Sequence, residues 1–142
     1  MTVKQISVFL ENRPGTLAAA TDTLSRGGIN LRALCVADTR DFGILRIIAD
    51  DQAKALSVLK EAGYATTVTD VLAAVIADDP GSLSRVLHVL AAAGISVEYT
   101  YAFLAEQVEN GAVVVLRVND ADKATQVLLD NGVTLGDEKL FS

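Results

Sequence analysis

Residues 13–17 read Arg-Pro-Gly-Thr-Leu, and residues 79–83 read Asp-Pro-Gly-Ser-Leu. Three further stretches recur in the same order at similar spacing: 28–31 with 94–97, 44–47 with 115–118, and 55–63 with 124–132. Self-similarity at a nearly fixed period marks a repeated structural unit. The spacing grows toward the C-terminus, which places a few extra residues near 105–111 in the second copy. We therefore predict one module written twice, with a first domain at 1–70 and a second at 71–142.

Each copy is predicted to contain a strand, a helix, two strands, a helix and a final strand. In the first copy Ile6, Val8 and Leu10 share one parity, as in a half-buried strand. Residues 17–24 carry the apolar stripe of a helix, and Pro14 fits its first turn, where a missing N–H is harmless. Where the copies meet, separate strands are predicted at 65–69 and 72–77. A further strand is predicted at 97–104.

This element order predicts the fold class. A βαββαβ unit with right-handed crossovers forms a four-stranded antiparallel sheet with two helices on one face. The class is therefore α+β, with two tandem ferredoxin-like copies. Such a small module buries little surface alone and leaves sheet edges open, while the 142-residue chain is 51% hydrophobic with a mean hydropathy of +0.36. We therefore expect an oligomer, in the first place a homodimer.

The composition excludes several classes of function. Lys and Arg total 12 against 18 Asp and Glu, a formal net charge of −6, so the basic surface that nucleic acid requires is missing. One cysteine (Cys35) and one histidine (His88) cannot build a multi-thiolate or multi-histidine metal site. There is no glycine-rich phosphate motif. We expect no metal, no cofactor, no nucleic acid and no membrane partner; the lack of a leader or a 20-residue apolar span predicts a cytoplasmic protein.

Other ferredoxin-like proteins offer alternative functions. An RNA-binding domain needs stacking aromatics on a basic sheet, whereas the first copy has only Phe9 and Phe42 on a half with no net charge. A copper chaperone needs a pair of cysteines. Asn12 and Arg13 superficially fit the anion-binding loop of an acylphosphatase-type enzyme. That loop would need a nest of backbone donors, and this one has a single glycine.

The loop of residues 10–17 (LENRPGTL) and the turn of residues 28–31 (GINL) together resemble the ACT domain, a regulatory module that binds amino acids in many metabolic enzymes. The first copy is particularly similar to the serine-sensing ACT domain of phosphoglycerate dehydrogenase, which has the same Asn-Arg-Pro-Gly loop and Gly-x-Asn turn. The resemblance extends over both copies, and residues 97–103 (VEYTYAF) look like those of stand-alone tandem ACT proteins. It implies a non-enzymatic regulatory protein that binds a free amino acid.

The resemblance also implies a ligand site. In the family, the loop asparagine and the turn asparagine reach a ligand between paired modules, and by position these are Asn12 and Asn30. A helix N-terminus offers free N–H groups to a carboxylate, and an asparagine side chain can bind either end of a zwitterion. The implied site uses the first-copy loop and turn, completed by strand residues of the second copy: Asn12, Arg13, Pro14, Gly15, Thr16, Leu17, Gly28, Asn30, Leu31, Glu98, Tyr99 and Tyr101.

Simpler roles remain open for these residues. Asn12 could cap the helix or shape the turn, and Asn30 could be an ordinary residue beyond a helix end. Arg13 could be a solvated loop charge. Tyr99 and Tyr101 share one strand parity with their apolar neighbours, which favours a structural role as much as a ligand contact.

The second copy departs from the family pattern. Asp78, Asp79 and Ser96 stand where the first copy has Asn12, Arg13 and Asn30. A carboxylate would repel the carboxylate of an amino acid and could instead hold its ammonium group. We therefore expect unequal loops, with the main site on the first copy.

Two functions follow from the resemblance. The first is a sensor of a free amino acid that allosterically regulates an enzyme of amino-acid metabolism. The second is a regulatory small subunit that docks onto a catalytic subunit and has no ligand of its own. Binding of free amino acids separates the two.

Overall fold

The computed structural model describes residues 1–38, 40–103, 105 and 107–142. Within that part of the chain, strands and helices follow one another in the order that the repeat predicts. The elements are β1 (Val3–Glu11), α1 (Thr16–Arg26), β2 (Leu31–Asp38), β3 (Phe42–Ala49), α2 (Gln52–Glu61), β4 (Thr66–Ala77), α3 (Ser82–Ala92), β5 (Val97–Phe103), β6 (Gly111–Val118), α4 (Ala121–Asp130), β7 (Thr134–Gly136) and a 3₁₀ turn at Glu138–Leu140.

The first structural unit comprises Lys4–Thr69 and Phe141–Ser142. Its strands lie in the order β2-β3-β1-β4, and β1 and β2 both run antiparallel to β3. Ile6 of β1 lies opposite Ile47 of β3. Both side chains share a buried core with Leu24 of α1 and Leu59 of α2. Both helices therefore lie on one face of this sheet.

The second unit comprises Met1–Val3 and Asp70–Leu140. The later part of β4 pairs with both β6 and β7, and β5 pairs antiparallel with β6. Leu72 of β4 lies opposite Leu116 of β6, and they share a buried core with Leu90 of α3 and Leu128 of α4. The strand order and helix placement repeat those of the first unit. The predicted α+β class with two ferredoxin-like units is confirmed.

Strand β4 differs from the sequence prediction. The strands predicted at 65–69 and 72–77 are one continuous strand of 12 residues. Neither Asp70 nor Val71 has the backbone freedom or restriction of glycine or proline, and Val71 is buried, so nothing ends the extended conformation there. The strand predicted at 97–104 is β5, which runs from Val97 to Phe103; Leu104 lies outside the described residues.

Helix α1 begins later than predicted, and the described helices are short. Helix α1 starts at Thr16, and Pro14 belongs to the preceding turn, which the Thr16 N–H closes by donating to the Arg13 carbonyl at 3.4 Å. Gly15 is the N-cap with φ of +87°, a left-handed conformation that favours glycine. Each described α-helix has 10 or 11 residues. None of them combines the length and apolar character needed to cross a membrane.

Candidate functional site

The loop between β1 and α1 is closed by its own backbone. The Arg13 N–H donates to the Glu11 carbonyl at 2.9 Å, and the Thr16 hydroxyl lies 2.7 Å from the same carbonyl oxygen. The Asn12 N–H donates to the Asp41 carbonyl at 3.2 Å, at the hairpin between β2 and β3. These bonds hold the loop against the hairpin end of the sheet and occupy the backbone N–H of Asn12. The Asn12 side chain has no hydrogen-bond partner among the described residues.

The four α-helices of the described residues are of two kinds, which differ at their N-termini. The side chains of Asp51 and Asp120 cap α2 and α4, accepting from the N–H groups of Lys54 and Lys123 at 3.0 and 3.1 Å. Helices α1 and α3 begin instead at a left-handed glycine with no side-chain cap. In the part of the chain that the structure describes, the Leu17 and Ala18 N–H groups of α1 therefore have no partner. Unpaired N–H groups and the positive end of the helix dipole suit an anion.

The N-terminus of α1 excludes one of the roles that the sequence left open for Asn12. Asn12 is not the helix cap, because Gly15 occupies that position and receives no side-chain help. The second unit has the same backbone geometry at this position, because Gly81 takes φ of +90° at the start of α3. Both copies thus place an uncapped helix end after the Pro-Gly pair.

A cavity of about 310 Å³ lies beside the start of α1. Two residues that the sequence singled out line it, Arg13 and Thr16. Arg13 forms an ion pair with Glu11, with 2.5 Å between Nε and Oε2. The remaining wall comes from residues that the sequence analysis did not assign to a site: Phe9, Leu10, Glu11, Ala19 and Tyr64. The cavity therefore joins charged groups at the loop to an apolar wall.

Tyr64 is a lining residue that no sequence pattern indicates. It follows α2, and its N–H donates to the Leu59 carbonyl at 3.0 Å. The loop lies far from it along the chain, and only the position of α2 on the sheet brings the two together. The alternation along β1 indicates that Phe9 lies on the face opposite to that of the core residues Val8 and Leu10. Phe9 is 42% exposed, as this pattern predicts for a residue outside the core.

Asn30 lies at the other end of α1 from Asn12. Its N–H donates to the Asp50 carboxylate at 3.1 Å, and its carbonyl accepts from the Asp50 N–H at 3.0 Å. Helix α1 has 11 residues, a length of about 16 Å. A single amino acid is much shorter than this, so Asn12 and Asn30 of one copy of the module cannot both contact it.

The other turn residues have separate reasons for their identity. Gly28 takes φ of +73°, so the backbone conformation calls for glycine, and the Lys54 Nζ lies 3.8 Å from where a Cβ would be. Leu31 packs against the core of the first unit. Leu17 is 40% exposed at the start of α1, and Pro14 is exposed in the turn before it.

The second unit has a corresponding but more acidic loop. The Asp78 N–H donates to the Asn110 carbonyl at 3.2 Å, and the Ser96 N–H donates to the Asn119 side chain at 3.0 Å. These bonds match those of Asn12 and Asn30 in the first unit. A cavity of about 240 Å³ near the start of α3 is lined by Ser82 and Arg85 among others.

The three second-copy residues assigned to the site lie on β5. Glu98 pairs with Arg117, with 3.2 Å between Oε2 and Nε. Tyr99 and Tyr101 lie opposite Arg117 and Val115 of β6, and both are half-buried. They face away from the helices of the second unit, because Thr100 and Ala102 take the register of the core residues Leu116 and Val114. Among the described residues, no three His, Cys, Asp or Glu side chains are grouped as a metal site.

The family model of the ACT domain pair matches residues 1–142. The chain belongs to the ACT domain pair family. Protein BT0572 from Bacteroides thetaiotaomicron is similar over 100% of this chain and 97% of its own, with 41% identity and a TM-score of 0.92. No curated protein matches significantly.

More distant structures share the fold of this ACT domain pair. The ligand-free regulatory subunit of aspartate kinase from Thermus thermophilus has a TM-score of 0.66 at 16% identity, over 98% of this chain and 93% of its own. The corresponding subunit from Thermus flavus has a TM-score of 0.62, also at 16% identity, with coverage of 89% and 90%. At this identity the likeness concerns the fold alone.

Proposed function

We propose that this ACT domain pair is a non-enzymatic sensor of a free amino acid that regulates an enzyme of amino-acid metabolism. The observation that carries the proposal is the uncapped N-terminus of α1 beside the 310 Å³ cavity at the Asn12 loop. The regulatory subunits of aspartate kinase that share the fold support a regulatory role by analogy. The family resemblance supports the choice of an amino acid as ligand.

The geometry of the loop fits the two charged ends of an amino acid. The unpaired N–H groups of Leu17 and Ala18 would receive the carboxylate, whose charge the helix dipole favours. The Asn12 amide oxygen and the Glu11 carboxylate are acceptors for the ammonium group. Phe9 and Tyr64 would face the side chain of the ligand. Both charges would then have partners when they leave water, which desolvation requires.

The separation of Asn12 and Asn30 implies that two modules form each site. Strand β2 is an edge strand in the first unit, and its side chains Leu34 and Val36 are 54% and 46% exposed. An exposed apolar edge of this kind pairs readily with another strand. A homodimer joined through β2 would cover both side chains.

The direction of β2 links this dimer to the ligand site. Asn30 precedes the first residue of β2, whereas Asn12 is bonded to Asp41, in the hairpin that follows the last residue of β2. A two-fold axis makes the paired strands antiparallel, so each end of β2 meets the opposite end of its partner. Asn12 of one protomer would then lie beside Asn30 of the other. Two equivalent sites per dimer result.

The experiment is a thermal-shift panel of the twenty amino acids, followed by calorimetry on the best of them. A ligand at about 100 times its Kd stabilises the folded chain by about 2.7 kcal/mol. For a chain of this size, the melting temperature should rise by several degrees. Absence of any shift, together with co-purification of a large catalytic chain, would favour the docking subunit without a ligand.

A further inference from the structure

A further cavity, of about 620 Å³, lies between α3 and α4 on the helical side of the second unit. We call it the α3–α4 groove. Val89 of α3, Ala93 just after α3 and Val127 of α4 give it an apolar surface, and Arg85 and His88 give it positive or polar groups. Its volume is within the range of small-molecule sites. It does not include any residue of the first-copy loop, so the sensor role leaves it unexplained.

The polar groups of the groove are arranged asymmetrically. The Arg85 Nη2 donates to the Asn131 carbonyl at 2.8 Å, which fixes the guanidinium at one end of the groove. A guanidinium has five N–H donors, and the others have no partner among the described residues. The Asn131 amide nitrogen donates to the Val127 carbonyl at 2.8 Å, which leaves its side-chain oxygen as an acceptor.

The charge of the groove is opposite in sign to the net charge of residues 71–142. Residues 71–142 contain ten Asp and Glu but only four Lys and Arg. Among the described residues, no carboxylate lines the groove, whereas Arg85 and the chain's single histidine do. From Arg85 to Ala93 the groove follows α3 for about 12 Å. At the Ala93 end, the Lys123 Nζ donates to the Ala93 carbonyl at 2.7 Å.

The first copy provides an internal comparison. By the repeat, Ala19 and Asp22 of α1 stand where α3 has Arg85 and His88, so the pair of cationic or polar groups is absent there. Gly27, which follows α1, corresponds to Ala93, which follows α3. A Cβ at Gly27 would lie 2.9 Å from a methyl group of Val58.

The corresponding pair in the second copy is Ala93 and Val127. Because Ala93 has the Cβ that Gly27 lacks, Val127 cannot take the place that Val58 takes in the first copy. The change from Gly27 to Ala93 therefore leaves space between the helices, and the separate change from Ala19 to Arg85 places a cation beside that space. Both changes occur in one copy only.

We propose that the α3–α4 groove binds a small organic carboxylate with an aliphatic body, at a site separate from the amino-acid site. The carboxylate pairs with the free N–H groups of Arg85, with His88 beside it. The aliphatic body lies along Val89, Ala93 and Val127. A charge-assisted hydrogen bond to a fixed guanidinium and an apolar surface of this length together favour an anion with a hydrocarbon tail.

The test uses nuclear magnetic resonance of the ¹⁵N-labelled full chain. The probe is 4-methylpentanoate, and 4-methylpentanamide, which has the same body without the charge, is its matched control. We expect the acid to shift backbone resonances of α3 and α4 around Arg85, Val89 and Val127 in a saturable way, and the amide to bind about tenfold more weakly. Equal binding of acid and amide, shifts confined to other elements, or no shift up to about 10 mM would overturn the proposal.

Variants make the test specific to the groove. Arg85→Ala and His88→Asp introduce the residues of the first copy, and both positions are exposed, so the fold should tolerate them. We expect Arg85→Ala to weaken binding of the acid about tenfold, Arg85→Lys to recover part of it, and Lys60→Ala on α2 to leave it unchanged. An Arg85→Ala protein that melts like the parent and binds the acid equally well contradicts the proposal. Amino-acid binding at the first-copy loop stays intact in all of these variants, so a failure here leaves the proposed sensor function standing.

Discussion

The proposed dimeric ligand site makes a prediction that a single-chain site does not share. If the proposed site is correct, Asn12→Ala and Asn30→Ala each remove a hydrogen bond to a charged end of the ligand. Such a bond contributes about 1.5–3 kcal/mol, so each variant alone should bind the amino acid about 10- to 150-fold more weakly. The melting temperature without ligand should change little, because both side chains are exposed and lie outside the helices and strands.

Mixing the two variants should restore part of the binding. After unfolding and refolding together in equal amounts, about half of the dimers contain one chain of each kind. In such a dimer one site has lost both asparagines, and the other combines the intact Asn12 of one chain with the intact Asn30 of the other. About a quarter of all sites should therefore bind with the affinity of the parent.

Calorimetry measures this fraction directly as the stoichiometry of the tight-binding phase. Each variant refolded alone is the control and should show no tight phase. If both variants are weakened and the mixture recovers nothing, the two asparagines do not meet across a dimer, and the two-fold arrangement through β2 is refuted. If neither variant is weakened, the site carried over from the family is wrong.

Three further predictions concern the edge strand, the helix ends and the helix contact. Leu34→Glu places a charge on the exposed edge of β2 and should yield a monomer near 14.9 kDa by light scattering, with the amino-acid affinity reduced and the melting temperature barely changed; a dimer that still binds contradicts the interface. Asp120→Ala removes the side-chain cap of α4 and should lower the free energy of unfolding, measured by urea titration, by about 0.5–2 kcal/mol. Asp78→Ala removes no cap and should lower this free energy by less. Equal losses would show that the loop of the second copy is structural. Gly27→Ala should destabilise the chain by about 1–3 kcal/mol because its Cβ meets Val58 at 2.9 Å, and adding Val58→Ala should cost less than the sum of the two single changes; additive losses would rule out the contact.

The sequence by itself determined the repeat and the fold. Apolar residues at alternate positions of β1 and at helical spacing in α1 and α2 specify which side chains enter the core, and residues such as Ile6, Leu24 and Leu59 are buried as their periodicity predicts. Paired landmarks such as the two Pro-Gly turns then fix the order of elements in both copies. These signals are local, so they can be read without knowing the tertiary structure.

The composition of the candidate site depends on contacts between residues that are far apart in the sequence. The sequence indicated the Asn12 loop, yet it placed the start of α1 at Pro14, and only the structure shows that Gly15 leaves the helix end uncapped. Tyr64 joins the cavity because α2 lies on the sheet beside the loop. The continuous course of β4 through the boundary of the copies was likewise missed, since no residue there either forces or forbids a break.

The distance between the two asparagines is the clearest case of what tertiary structure decided. In the sequence, Asn12 and Asn30 are two members of one motif, and nothing in their identity says how far apart they lie. The helix between them is a rigid rod of 11 residues, and it separates them by more than the length of an amino acid. Periodicity tells which face of an element is buried, because burial follows from the geometry of one element; which side chains meet around a ligand follows from how several elements are placed, and that is a property of the folded chain.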